Sequence, residues 1–273
     1  MNLRVLVDNN TIIDQYFLGE PGVSYYIEAD GKKILFDVGY SDVFMKNAAK
    51  MKIDLTRINA VVFSHGHNDH TGGVKYFISS IAKKFKQEVR LIAHCGVFED
   101  KYEKDESIGS CLKAHDLEKY FTLSLKKGPQ YITKNLLFLG EIERINNFEN
   151  SIPIGVVQSD NGMKPDFVMD DSALVYMTDK GMIIITGCSH SGICNIITYA
   201  KKICHEKRIR AIIGGLHLLD APKELLKHTI TFIKENNVLE VYPCHCTDLA
   251  AKIALAEDLT IKDIGVNSMI SYE

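Results

Sequence analysis

Val61-Val-Phe-Ser-His-Gly-His-Asn-Asp-His-Thr-Gly-Gly73 decides how this chain is read. The stretch holds three histidines and one aspartate within six residues, as His65-x-His67-x-Asp69-His70. The apolar run from Ala60 to Phe63 reads as a buried strand, and Gly72-Gly73 as a turn. The cluster therefore sits where a strand ends and the chain bends, so its side chains can converge on one point. In extended backbone, residues two apart point the same way, which lets His65 and His67 face one ion. Asp69 and His70 follow the bend and can reach a second ion beside the first. Neutral imidazole suits zinc, iron, nickel and copper, and carboxylate suits harder ions, so this mixed set predicts a first-row divalent metal. A polar loop that is histidine-rich by chance is the plain alternative. Four potential ligands in six residues, directly after a buried strand, disfavour it.

Ser64-His-Gly-His-Asn-Asp-His-Thr-Gly-Gly73 resembles the H-x-H-x-D-H signature of the metallo-β-lactamase fold superfamily, whose members are mostly dinuclear metal hydrolases. The resemblance implies an α/β fold of the four-layer αββα sandwich type, taken here as a single domain over residues 1–273. It also implies that Asp37, in Ile34-Leu-Phe-Asp-Val-Gly39, orients a ligand histidine, because F-D-x-G recurs at this place in the superfamily. Cys188 lies where the superfamily usually has an aspartate bridging both metals. The G-H-T segment carried by many members has no counterpart, since residues 116–189 contain no histidine. Either His190 fills that role from a different position, or one metal has fewer protein ligands. Flavodiiron-type relatives have Glu where this chain has Asn68, which disfavours a redox role.

Composition sets outer bounds. The chain has 273 residues, 46% hydrophobic and 25% charged, the proportions of an ordinary soluble globular protein. A net charge of −3 and the lack of a basic tract exclude a strong pull toward nucleic acid or anionic membrane. Met1-Asn-Leu-Arg-Val-Leu-Val7 lacks the regions of a signal peptide, and there is no apolar run long enough to span a membrane. Seven cysteines, an odd number, point to reduced thiols and a cytoplasmic location. The expected partner is a small-molecule substrate, with a homodimer as the default assembly.

Along the chain, residues 3–8 read as a strand, and 23–29 and 33–37 as a hairpin around Asp30-Gly31. Residues 41–51 fit a helix capped by Ser41, and 74–85 a second helix. A strand over 88–93 ends at His94, which reads as an ordinary strand-end histidine or as a cleft residue, with the first slightly preferred. Residues 99–107 are a mixed-charge run, most simply a solvated helix or loop face. Short strands are expected at 119–124 and 135–139, and His115 at the surface. Strands at 173–178 and 182–186 lead to Thr186-Gly-Cys-Ser-His-Ser-Gly192 and a helix over 193–206. This echoes residues 23–51 and suggests a duplicated ββα half. A strand at 208–214, a helix at 222–236 with Pro222 in its first turn, a strand at 239–243 and a helix near 248–257 complete the chain.

The motif holds too few ligands for two ions, so the rest should come from other strand ends. His190 follows strand 182–186 and His245 follows strand 239–243, and both join His65, His67, Asp69 and His70 in the expected metal set. Cys188, which can ligate as thiolate, and His217, also at a strand end, are further candidates for metal or substrate contact. Two ions are expected, with zinc first and iron or manganese as alternatives. The predicted enzyme is a metal-dependent hydrolase that uses metal-bound hydroxide on a small phosphoester, lactone or related substrate, with Asp69 orienting the nucleophile. The segment 95–150 is expected to cover the cleft and select the substrate. Blocks across nearly the whole chain, among them Thr186-Gly-Cys-Ser-His190, Ile213-Gly-Gly-Leu-His217 and Pro243-Cys-His-Cys-Thr247, are similar to a subgroup labelled 7,8-dihydropterin-6-methyl-4-(β-D-ribofuranosyl)aminobenzene-5′-phosphate synthases. That label implies a transferase as the competing reading. A metal-binding sensor without turnover is the third, and the intact motif weighs against it.

Overall fold

Two mixed sheets lie face to face in a computed structural model that describes residues 1–159 and 162–273. The first sheet runs Met269–Ser271, Asn2–Val7, Ser24–Ala29, Lys32–Phe36, Ala60–Val62, Arg90–Ala93 and Thr122–Leu125 from edge to edge. The second runs Glu240–Cys244, Ile209–Gly215, Gly181–Thr186, Ala173–Thr178, Leu136–Phe138 and Gln130–Tyr131. Both follow one plan. An antiparallel hairpin, Ser24–Phe36 or Ala173–Thr186, is followed by strands added in parallel on one side. The duplicated ββα half expected from sequence is therefore visible as topology.

Alternation along the strands builds the layers. Ile34 and Phe36 point between the sheets and meet Ile183 and Ile185, while Leu35 points outward. Met182 and Ile184 point out on the other side. Helices Val43–Lys50 and Val74–Ser80 cover the first outer face, and Ile193–Cys204, Lys223–Glu235 and Leu249–Asp258 cover the second. The result is helix, sheet, sheet, helix. Parallel strands end on one edge of such a stack, where open α/β sheets place their ligands.

Asp30 and Gly31 have φ of 50° and 74°, both left-handed, as a type I′ turn requires. The Asp30 carboxylate also ties the sheets together. It accepts hydrogen bonds from Thr133 Oγ at 2.6 Å, the Asn135 amide at 2.8 Å and Tyr176 Oη at 3.2 Å. These bonds hold its carboxyl below the usual range, against a burial effect that would raise it.

Several boundaries differ from the sequence reading. The helix predicted over 41–51 is Val43–Lys50, with Ser41 Oγ accepting the Val43 amide at 3.3 Å ahead of the first turn. The helix over 74–85 breaks after Ser80 into a 3₁₀ turn, Ala82–Lys84. The mixed-charge run at 99–107 is mostly solvated, as expected, but it is strand rather than helix or loop and buries Lys101. It forms Lys101–Glu103 and Glu106–Ser107 in a small third sheet with Val156–Ser159 and Gly162–Pro165. Lys101 is buried there because two carboxylates meet its ammonium group, a partnership that charge patterning cannot reveal. No helix is long and apolar enough to cross a membrane among the described residues.

Replacing Asp30 with Gly keeps the left-handed turn and removes the inter-sheet acceptor. The unfolding free energy in urea should fall by about 1–3 kcal/mol, with the hairpin register retained.

Candidate metal centre

Every candidate ligand lies just beyond the C-terminal end of a strand. Ala60–Val62 leads to His65, His67, Asp69 and His70. Gly181–Thr186 leads to Cys188 and His190, and Glu240–Cys244 to His245. The fold gathers them into two sets that could each hold an ion: His65, His67 and His190, and Asp69, His70, Cys188 and His245. The sets abut, with the rings of His65 and His70 centred 4.2 Å apart.

Hydrogen bonds aim the rings. Asp37 Oδ2 lies 2.7 Å from His70 Nδ1, and a carboxylate only accepts, so Nδ1 carries the proton and Nε2 turns its lone pair to the cluster. Ser64 Oγ donates to Asp37 Oδ2 at 2.7 Å and so accepts from His65 Nδ1 at 2.9 Å, which leaves His65 Nε2 free. Asn9 Nδ2 donates to the His245 carbonyl, so Asn9 Oδ1 accepts from His245 Nδ1 at 3.1 Å and frees Nε2 there too. Asp37 thus plays the orienting role expected of it. Asp8 and Asn9, which escaped the sequence reading, do the same for His245, with Asp8 Oδ1 accepting its amide at 2.9 Å.

The freed atoms stand at ligand spacing. A tetrahedral ion with bonds near 2.1 Å separates its ligands by about 3.4 Å. His70 Nε2 lies 3.4 Å from Asp69 Oδ2 and 3.3 Å from His245 Nε2, and His245 Nε2 lies 3.2 Å from Asp69 Oδ2. Cys188 Sγ is 3.3 Å from His70 Nε2 and 3.1 Å from His245 Nε2. His65 Nε2 and His67 Nδ1 are 3.1 Å apart. His190 has both ring nitrogens buried without a hydrogen-bond partner, as has His67 Nε2. Buried polar atoms without partners are rare and costly, so these rings fit a group that binds imidazole lone pairs.

Electrostatics separate the two sets. Burial pushes His65 and His190 well below the usual range, with neighbouring histidines adding to the effect, and holds His67 down to about 4. All three are therefore neutral, the form a metal takes. His70 is also wholly buried, which would lower it, yet Asp69 and Asp37 outweigh burial and raise it well above its ordinary value. The second set thus calls for a positive charge at its centre.

His190 comes from the other half of the molecule to stand beside His65 and His67, where it could complete a set of three in place of the missing G-H-T segment. Glu149 braces it from behind by accepting the amides of Cys194 at 2.9 Å and Asn195 at 3.0 Å, at the start of the helix that follows. Cys188 falls within the second set. His217 falls within neither; its ring, centred 4.4 Å from that of His190, is exposed at the edge of the first set, a place suited to substrate contact.

A cavity of about 420 Å³ opens beside the cluster rather than over it. Its lining includes His94, Lys127, Glu141, Phe167 and Met169. His94 is a buried strand-end histidine among the residues lining this cavity: Nδ1 accepts the Gly96 amide at 3.0 Å and Nε2 donates to Glu141 at 3.1 Å. Part of the segment 95–150 lines this space, and so do Val157 and residues from Lys164 to Asp170, for which sequence offered no signal.

Residues 18–86 match the model of the Metallo-beta-lactamase superfamily. The chain is 32% identical over 257 residues to the 7,8-dihydropterin-6-methyl-4-(beta-D-ribofuranosyl)-aminobenzene-5'-phosphate synthase of Methanocaldococcus jannaschii, covering 89% of this chain and 86% of that protein. It is 31% identical to a second protein of that organism, described as uncharacterized, covering 93% and 94% of the two chains. Among solved structures it is similar to Tm1679, described as a metal-dependent hydrolase of the beta-lactamase superfamily, with a TM-score of 0.84, 30% identity and coverage of 100% and 99%.

Two outcomes test the packing around these ligands. A Cβ at Gly187 would stand 2.2 Å from Ser64 Oγ and 2.9 Å from Asp37 Oδ2, so Gly187→Ala should cost roughly 1–3 kcal/mol in urea unfolding and disturb His65 and His70 together. Asp171 is fully buried, and burial raises its carboxyl to about 6 despite the Ser191 hydrogen bonds. Because the folded value lies above the unfolded one, its stabilisation is complete below about pH 4 and lost as pH rises through about 6. That loss is of order 2–3 kcal/mol. The difference in unfolding free energy between wild type and Asp171→Asn, measured on chelator-treated protein, should move across this window and level off above it.

Proposed function

This chain belongs to the metallo-beta-lactamase superfamily, and from that premise we propose that it is a dinuclear metal-dependent hydrolase of a small phosphoester, lactone or related molecule. The observation carrying the reading is the convergence of seven side chains from three strand ends into two sets at ligand spacing. His65, His67 and His190 hold one ion, and Asp69, His70, Cys188 and His245 the other. Imidazoles joined by one thiolate favour zinc over iron or manganese. When bound, such ions lower the pKa of water to about 7 and polarise an acyl or phosphoryl oxygen.

The chain's own residues supply orientation and access. Asp37, Ser64 and Asn9 fix which ring nitrogen each histidine presents. The Asp69 side chain is 28% exposed against 0% for His70 and 6% for His245, so it faces the opening. There its carboxylate accepts a hydrogen bond from the attacking water and orients it. The adjoining cavity receives the body of the substrate, with Phe167 and Met169 against its apolar part.

A second reading, transfer rather than hydrolysis, is favoured by the 32% identity to the synthase. The same residues would then hold metal for the formation of a dihydropterin–ribofuranosylaminobenzene phosphate.

Metal analysis joined to a screen of aryl phosphodiesters, lactones and thioesters separates the two. The hydrolase reading expects about two ions per chain and turnover on one of these classes. It also expects His67→Ala to lose one ion and more than the roughly 10–100-fold that loss of an outer partner costs. Metal-loaded protein that is inert on every class, yet forms the synthase product, would replace hydrolysis with transfer.

A further inference from the structure

The loop that carries His65 and His67 is held from behind by an ion cluster outside both ligand sets. Lys101 is 1% exposed, and its ammonium group donates to Asp166 Oδ2 at 2.9 Å and Asp170 Oδ1 at 2.7 Å. Burial alone would lower its pKa; the two carboxylates outweigh this and raise it. The other oxygen of Asp170 accepts the amide of Gly66 at 2.7 Å. Gly66 is the residue between the two histidines. Its site has no slack, since a Cβ there would stand 2.2 Å from the Val97 carbonyl oxygen and 3.1 Å from Asp170 Oδ2. Two residues on, the Ser172 amide donates to the Ser64 carbonyl at 2.9 Å, so the 170–172 stretch grips the loop on both sides of His65.

Charge gives this contact a second consequence. His65, His67 and His190 are neutral, so an ion among them has no charged ligand of its own. Asp170 Oδ2, on the Gly66 amide, is the carboxylate oxygen bonded to the loop between His65 and His67. Asp166 bonds Lys101 and the Val168 amide, and among the described contacts none joins it to the metal loop.

We propose that Asp170, anchored by Lys101, is a positioning residue that sets the His65–Gly66–His67 loop and supplies the counter-charge for an ion held by three neutral histidines. The inference rests on the assignment of His65, His67 and His190 as ligands. The alternative is a structural staple, in which the cluster joins strand Lys101–Glu103 to the 166–172 stretch and does nothing for the metal.

Cobalt(II) titration of the full chain against a competing chelator distinguishes them. Cobalt in the set containing Cys188 gives a thiolate charge-transfer band in the near ultraviolet, and cobalt in the three-histidine set gives visible bands without it. Asp170→Asn keeps the shape but removes the charge and one of the two acceptor oxygens, and should weaken the three-histidine set by about 10-fold; Asp170→Ala should weaken it by up to about 100-fold. The charge-transfer band should titrate as in wild type. Asp166→Asn removes an equivalent charge and acceptor beside Lys101 and should lower thermal stability as much as Asp170→Asn while leaving cobalt affinity near wild type. If Asp170→Ala does not fold, the two asparagine variants still decide. Equal weakening in Asp166→Asn and Asp170→Asn, equal weakening of both cobalt sets, or no weakening in Asp170→Asn would each overturn the proposal. Wild-type protein with no cobalt in the three-histidine set would instead overturn the ligand assignment on which it rests.

Discussion

Asp37 is wholly buried, and three hydrogen bonds of 2.7 Å end on it, from the Ser64 amide, the Ser64 hydroxyl and His70 Nδ1. A carboxylate taken out of water is costly unless each lone pair finds a donor, and here the donors are the residues that aim the ligands. Satisfying Asp37 and orienting His65 and His70 are therefore one event. The strand ending at Phe36 and the strand ending at Val62 are parallel neighbours, and this register is what brings Asp37 under the metal loop. Asp8, following Asn2–Val7, serves the His245 amide in the same manner from the other side.

The two ligand sets differ in charge, and the difference carries chemistry. One is neutral and enclosed; the other holds a carboxylate, a thiol and a histidine bound to a second carboxylate, and it opens toward solvent through Asp69. The counter-charge assigned to Asp170 gives the neutral set a partner that is not itself a ligand, and the wall it forms also faces the cavity where a substrate would lie.

Much of this was legible in residue order, and the failures have a common cause. The strands, the Asp30-Gly31 turn and the motif announce themselves because period-2 alternation, turn chemistry and ligand spacing are local. His190 and His245 were singled out because strand ends in an α/β chain share an edge, and the fold brings both beside the motif. Lys101, Asp166 and Glu149 were not found. Each is a charged residue in a polar stretch, and what makes it structural is a partner 45 to 65 residues away. His94 could be read either way, because burial and cavity lining are properties of what packs against a strand end.

The sequence by itself determined the presence of a metal motif, since four ligand-type residues are held close by the covalent chain, and the resemblance that this motif carries implied the sandwich. Only the tertiary structure decided how those residues divide between two sets, that Cys188 enters one and His217 neither, and that Asp170 reaches the Gly66 amide. Those outcomes depend on the parallel register of strands distant in the chain and on burial of charge. Neither exists until the two sheets have closed on one another.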